Sequence, residues 1–203
     1  MTDLTLQQLV LRLVAYAFIA AVHGLAVAAV AVAMGDQGPR HDGRLHLNPL
    51  AHLDVIGTVS GVVFSVGWIR PIAIDPVHLR LGRIGLVVAV AAGAVATLLS
   101  AVALRRLRPF LLPLLPDTAS VTAFALVETI GELSVWFALI NVLPLPPLTG
   151  AHLLNAAVPA CDKVIAKIAP YAGLVLALVA ATGVFVKTLG SAYRVLSGMV
   201  LGG

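Results

Sequence analysis

This sequence predicts an all-α polytopic membrane protein of about five transmembrane helices, forming a single integral membrane domain over residues 1–203. Three observations predict it. Hydrophobic residues make up 60% of the chain and charged residues 11%, against about 45–50% and about 25% in soluble domains. The mean hydropathy is +1.04. The apolar residues also fall into runs near the length of about 20 needed to cross a bilayer. An ordinary soluble enzyme is excluded, and so is a disordered chain, which needs low hydrophobicity and high charge. The net charge of +4 arises from 13 basic against 9 acidic residues. The bases are spread over short loops without a dense patch. That speaks against nucleic acid as a partner and suits anionic lipid headgroups.

The first span is expected over residues 9–34, where 26 residues at 1.5 Å each would reach about 39 Å. It is too long for the apolar core of a signal peptide and is read as retained. A polar loop follows to Leu47. The second span is expected over 49–68, opening at Asn48-Pro49, a pair that places proline just inside a helix start. It is short and carries His52 and Asp54 near its beginning. Pro71 and Pro76 interrupt the next connection. The third span, over 84–104, is nearly all Val, Ala, Leu and Gly, and Arg105, Arg106 and Arg108 are expected to stop it. The fourth covers 121–142 and contains Glu128 and Glu132. The proline-dense stretch Leu143–Gly150 breaks the chain before a short helix over 151–160. The last span is expected over 171–189, followed by an apolar tail. Cys161 is the one cysteine, so no intramolecular disulfide forms.

Polar residues inside these runs are functional candidates, because an ionisable group at membrane depth needs a partner. His23 lies near the middle of the first span. It is read either as a functional group or as a neutral histidine bonded to a neighbouring helix. Glu128 and Glu132 share a helix face, as a cation or proton site or as carboxylates paired with arginine. Gly57 and Gly61 form a G-x-x-x-G that permits close helix approach. His41, His46, His52, Asp54 and His78 match no metal-ligand spacing.

Three segments together resemble the site-2 protease family of intramembrane zinc metalloproteases, in its small bacterial branch. Gly43–Thr58 reads G-R-L-H-L-N-P-L-A-H-L-D-V-I-G-T, similar to the family's G-R-L-T-L-N-P-L-x-H-I-D-P-x-G-T. Gly67–Pro76 resembles its G-W-A-K-P-V-P-V-N-P connection. Asn141–Gly150 resembles its second active-site signature, N-x-L-P-x-P-P-L-D-G. Ala92-Gly93 is similar to part of an A-G-P motif on the third family helix. The resemblance implies a site-2-protease-like core in the bacterial inner membrane. It also gives structural weight to Asn48, Pro49, His52, Asp54, Asn141, Pro144, Pro146, Pro147 and Gly150.

In that family the first span carries H-E-x-x-H, whose two histidines bind zinc while the glutamate acts as general base. The aspartate of L-D-G completes the ligand set. Here His23 matches the first histidine. Gly24 stands at the glutamate, Val27 at the second histidine and Thr149 at the aspartate. His152 is the other histidine within reach of such a site, and two histidines lack both a base and a third ligand. The resemblance read this way implies a pseudoprotease that is not an enzyme and holds no zinc or other cofactor, with lipid or pigment contacts on its apolar faces. Its expected role is that of a scaffold or accessory subunit. It would bind transmembrane helices of other proteins in a multi-subunit membrane complex. Two alternatives stand beside it: a divergent zinc-dependent intramembrane protease, and a transient regulator that binds membrane substrates of an active relative.

Overall fold

The computed structural model describes residues 4–158, 160 and 162–202, so Cys161 lies outside the described residues. The chain is an all-helical polytopic membrane protein. Helix α1 spans Leu6–Ala33 and opens with a capping box, in which the Thr5 side chain accepts from Gln8 N–H and the Gln8 side chain accepts from Thr5 N–H. A four-residue helix, α2 (Gly38–His41), lies in the first connection. It is followed by a 3₁₀ turn at Pro49–Ala51 and by α3 (Val55–Phe64). Helix α4 covers Arg83–Leu111 and α5 Asp117–Asn141. The chain ends with α6 (Ala151–Ala157), α7 (Asp162–Ala181) and α8 (Val184–Leu201).

Among the described residues four helices are long and apolar enough to cross a membrane: α1, α4 with its 3₁₀ extension to Leu114, α5 and α8. The expected second span is not a crossing helix. Asn48 Oδ1 accepts from Leu50 N–H at 3.1 Å, but Pro49 opens only the 3₁₀ turn. The helix proper starts at Val55, where Asp54 is the N-cap and accepts from Gly57 N–H at 2.7 Å. Its ten residues rise about 15 Å, half the hydrocarbon thickness of about 30 Å. Ser65, in the left-handed region at φ 61°, ends it.

Two other expected boundaries move. The arginines do not stop the third span, because α4 runs through Arg105, Arg106, Arg108 and Pro109 to Leu111. Long arginine side chains keep their charge at the interface while the backbone stays helical. The last expected span is divided at Gly183, whose φ of 72° ends α7 and starts α8. The apolar tail is thus part of α8.

Helix α1 is the centre of the bundle. Ala15, Ile19, Ala20, Val27 and Ala28 pack on Ala89 of α4 and on Ile130, Leu133 and Phe137 of α5. Small residues on α1 let the helix axes approach, which replaces the hydrophobic driving force absent between helices in lipid. A second cluster joins Trp68, Ile140 and Leu148 to Leu176, Ala180 and Phe185 of α7 and α8. Gly57 and Gly61 serve internal packing. A side chain at Gly61 would meet the Tyr16 ring at 2.4 Å, and one at Gly57 would meet the Trp68 carbonyl at 2.4 Å.

Irregular backbone near the core must be satisfied by the protein, since lipid offers no partners. Tyr16 Oη donates to the Trp68 carbonyl at 2.6 Å, and Arg12 Nη1 donates to the Val62 carbonyl at 2.9 Å. Arg70 N–H donates to the His52 carbonyl at 2.7 Å, beside an isolated antiparallel bridge between Leu53 and Ile69.

Candidate functional site: the His23 centre

His23 is buried in the middle of α1, and both its ring nitrogens are used. Nδ1 lies 3.2 Å from Thr97 Oγ1 and Nε2 lies 3.0 Å from Thr149 Oγ1. The network assigns the tautomer. Thr97 donates its single hydroxyl proton to the Gly93 carbonyl one turn back, at 2.8 Å, so it accepts from His23 Nδ1–H. Nε2 then holds the lone pair and accepts from Thr149. The ring also meets Phe137 edge-on, with centroids 4.9 Å apart. This is a neutral histidine tying α1 to α4 and to the loop before α6.

The other three positions aligned with the family's base and zinc ligands, Gly24, Val27 and Thr149, lie near it. Val27 is fully buried and apolar. Gly93 faces both residues, since a side chain there would meet Val27 Cγ2 at 2.6 Å and His23 Cε1 at 2.7 Å. Gly24 packs against the His52 imidazole so closely that a Cβ would stand 2.1 Å from His52 Nδ1. His52 itself is fully buried; its Nε2–H donates to the His46 carbonyl at 3.0 Å, and Nδ1 has no partner among the described residues. His152 does not approach His23 as a partner. Its Nε2–H donates to the Ile72 carbonyl at 3.0 Å.

Zinc sites need about four donors in tetrahedral array, three of them from protein when the site is catalytic. Among the described residues no group of three or more His, Cys, Asp or Glu could hold a metal ion. Thr149 is a neutral oxygen engaged with the only nitrogen lone pair of His23. The residues around His23 therefore do not fit the zinc centre of the family that the sequence resembles.

The proline-dense loop is fixed from α5. Asn141 is fully buried, and its Nδ2 donates to the Gly67 carbonyl at 2.9 Å and to the Phe137 carbonyl at 3.0 Å. Its own carbonyl accepts from Gly150 N–H at 2.7 Å. Those bonds bring Pro144, Pro146, Pro147 and Thr149 back under the bundle. Gly150 is needed there, because a side chain would meet the Leu143 carbonyl at 2.2 Å. Glu128 and Glu132 do not act as a carboxylate pair. Glu128 bridges to Arg105 and Arg108, whereas Glu132 lines a small polar recess with Arg12 and Gln8. Thr97 and the Gly24–His52 contact were not identifiable in advance. The one sequence signal near them is Gly93, four residues before Thr97.

Burial lowers the pKa of His52, with the positive charge of Arg44 adding to it, and burial likewise lowers that of His152. Both are neutral in the folded protein near pH 7. Below the ordinary histidine value of about 6.5, the unfolded chain takes up protons that the folded chain refuses. Stability should therefore be flat above about pH 7 and fall as pH drops through 6.5 toward the lowered values. Thermal unfolding in detergent between pH 5 and 8 checks this, and His52→Asn should flatten part of the slope. A slope of opposite sign would refute the neutral assignment.

Over 144 residues the chain is 35% identical to "Putative zinc metalloprotease YwhC" of Bacillus subtilis (strain 168), a match covering 68% of this chain and 64% of that protein. The chain thus spans just under two thirds of that relative's length. No family model matches the chain, and no solved structure matches it. The comparison corrects one expectation. Substitutions at Gly24, Val27 and Thr149 imply a chain that is not an enzyme, whereas the relative points to an enzyme, and nothing demonstrates inactivation. Those substitutions describe how the donor set differs; they do not by themselves exclude chemistry on the same scaffold. The similarity supports a site-2-protease-like family for this integral membrane protein.

Proposed function

We propose that this chain is a divergent site-2-protease-like protein of the bacterial inner membrane, acting as a single membrane domain that engages transmembrane helices of other membrane proteins within a multi-subunit complex. One observation carries the reading. An apolar groove of about 430 Å³ runs along α7 beside the proline loop, with Leu145, Pro146, Tyr171, Val175 and Leu176 among its walls. Its floor is continuous with the loop that delivers Thr149 to His23. Tyr171 and Val175 are exposed there, so a helix moving laterally in the bilayer would reach the groove without crossing polar surface. Van der Waals packing and small-residue contacts supply the affinity in such a setting.

A second reading is favoured by the relative's description: the captured segment is also cleaved. One experiment addresses both. Purification of the tagged protein from its native membrane in gentle detergent, with quantitative mass spectrometry, should recover a fixed set of membrane proteins at constant stoichiometry. Recovery of the chain alone would overturn the first reading. Incubation of that sample with and without added zinc tests the second. It expects shortened partner segments, lost in His23→Ala, and intact segments under both conditions would overturn it.

A further inference from the structure

We propose that a cavity between the ends of α4 and α8 binds the phosphate of an anionic phospholipid. The cavity has a volume of about 690 Å³ and is lined by Arg105, Arg106 and Arg108 of α4 and by Met199, Val200 and Leu201 of α8. Glu128 of α5 organises two of the three guanidinium groups. Arg105 Nη1 donates to its Oε2 at 3.1 Å and Arg108 Nη1 donates to its Oε1. Arg108 is also held from the side, with its Cζ 4.7 Å above the centre of the Phe124 ring. Arg106 is exposed and makes no ion pair among the described residues.

Charge and geometry point the same way. Among the described residues, three guanidinium groups against one carboxylate leave two positive charges uncompensated. Arg105 and Arg108 each spend one N–H on Glu128, and a guanidinium has five. The remaining donors are pre-oriented, which suits the paired contacts arginine makes with phosphate oxygens. Arg108 lies in the last turn of α4, where the helix dipole favours a cation.

The apolar walls choose between two sources of phosphate. Free phosphate is hydrated on every side and gains nothing from Val102, Phe110 or the α8 side chains. A lipid presents phosphate, glycerol and acyl chain in sequence, which matches arginines at a helix end above an apolar wall. Basic pockets between transmembrane helices hold headgroups in this way.

Native mass spectrometry of the full chain in micelles of phosphatidylglycerol or phosphatidylcholine tests the site. Phosphatidylglycerol should be retained preferentially. Arg106→Ala should lower that retention about fivefold, the effect of about 1 kcal/mol for one arginine at an anionic surface. Arg194→Ala, which removes an exposed arginine of α8 outside the cavity, should leave it unchanged. A double variant, Arg105→Ala with Arg106→Ala, should abolish the preference while the melting temperature in phosphatidylcholine still reports a folded chain. Equal losses in Arg106→Ala and Arg194→Ala would overturn the site in favour of diffuse attraction. Stabilisation by inorganic phosphate equal to that by phosphatidylglycerol would overturn the lipid as ligand.

Discussion

Gly24→Ala should destabilise the detergent-solubilised protein by about 3 kcal/mol or more, the upper part of the range for overpacking a tight core. The direction is opposite to the ordinary rule. Alanine in place of a helical glycine normally gains up to about 1 kcal/mol. Here the new methyl would lie 2.1 Å from His52 Nδ1 and 2.7 Å from His52 Cγ. The ring cannot yield easily, since His52 is fully buried and anchored through Nε2 to the His46 carbonyl. His52→Ala should cost stability by itself, by opening a cavity and losing that bond. The double variant should then be more stable than the sum of the two losses allows, because the methyl at position 24 occupies space that the imidazole has left. Such a coupling is what a double-mutant cycle measures. A neutral or stabilising Gly24→Ala would refute the contact. The same contact obstructs Gly24→Glu, so the family's glutamate cannot be restored without displacing His52.

Asn141→Leu should cost about 1–3 kcal/mol, the penalty for leaving a buried polar group unsatisfied. Leucine keeps the branching and the number of side-chain heavy atoms of asparagine but is bulkier, so overpacking adds to the cost. What is lost is the donor to the Gly67 carbonyl, in a buried segment that lies outside any helix. The Phe137 carbonyl is less affected because it belongs to the helical ladder of α5. Asn141 Oδ1 has no partner among the described residues, and its removal offsets a little of the loss. Melting temperature in detergent is the measurement, with Asn141→Gln as the conservative comparison. An unchanged melting temperature would remove Asn141 from the set of residues that hold the proline loop under the bundle.

Helix identity was legible wherever a long apolar run met a clear terminator. The first span was expected over 9–34 and α1 covers Leu6–Ala33, and the prolines after Asn141 mark the end of α5. Legibility failed where two short elements share one apolar run. The stretch from Pro49 to Trp68 has the hydropathy of a span, yet Asp54 caps a helix of only ten residues within it. Hydropathy reports transfer into an apolar medium and does not separate lipid from protein core. Likewise, one glycine at position 183 turns a single apolar segment into two helices, because the left-handed conformation it adopts cannot continue an α-helix.

The candidate site divides in the same way. Residue identities at 23, 24, 27 and 149 establish which donors exist, since side-chain chemistry is a property of the chain alone. The composition of the whole chain establishes membrane residence as well, because apolar content sums over residues regardless of arrangement. Arrangement governs the rest. That His23 is saturated by Thr97 and Thr149, that His52 fills the space above Gly24, and that Glu128 gathers two arginines beside α8 all depend on contacts between residues 20 to 126 positions apart. Periodicity and motif spacing act within a single helix, whereas these contacts are set by how closely α1, α4 and α5 approach, which follows from the packing of the whole bundle.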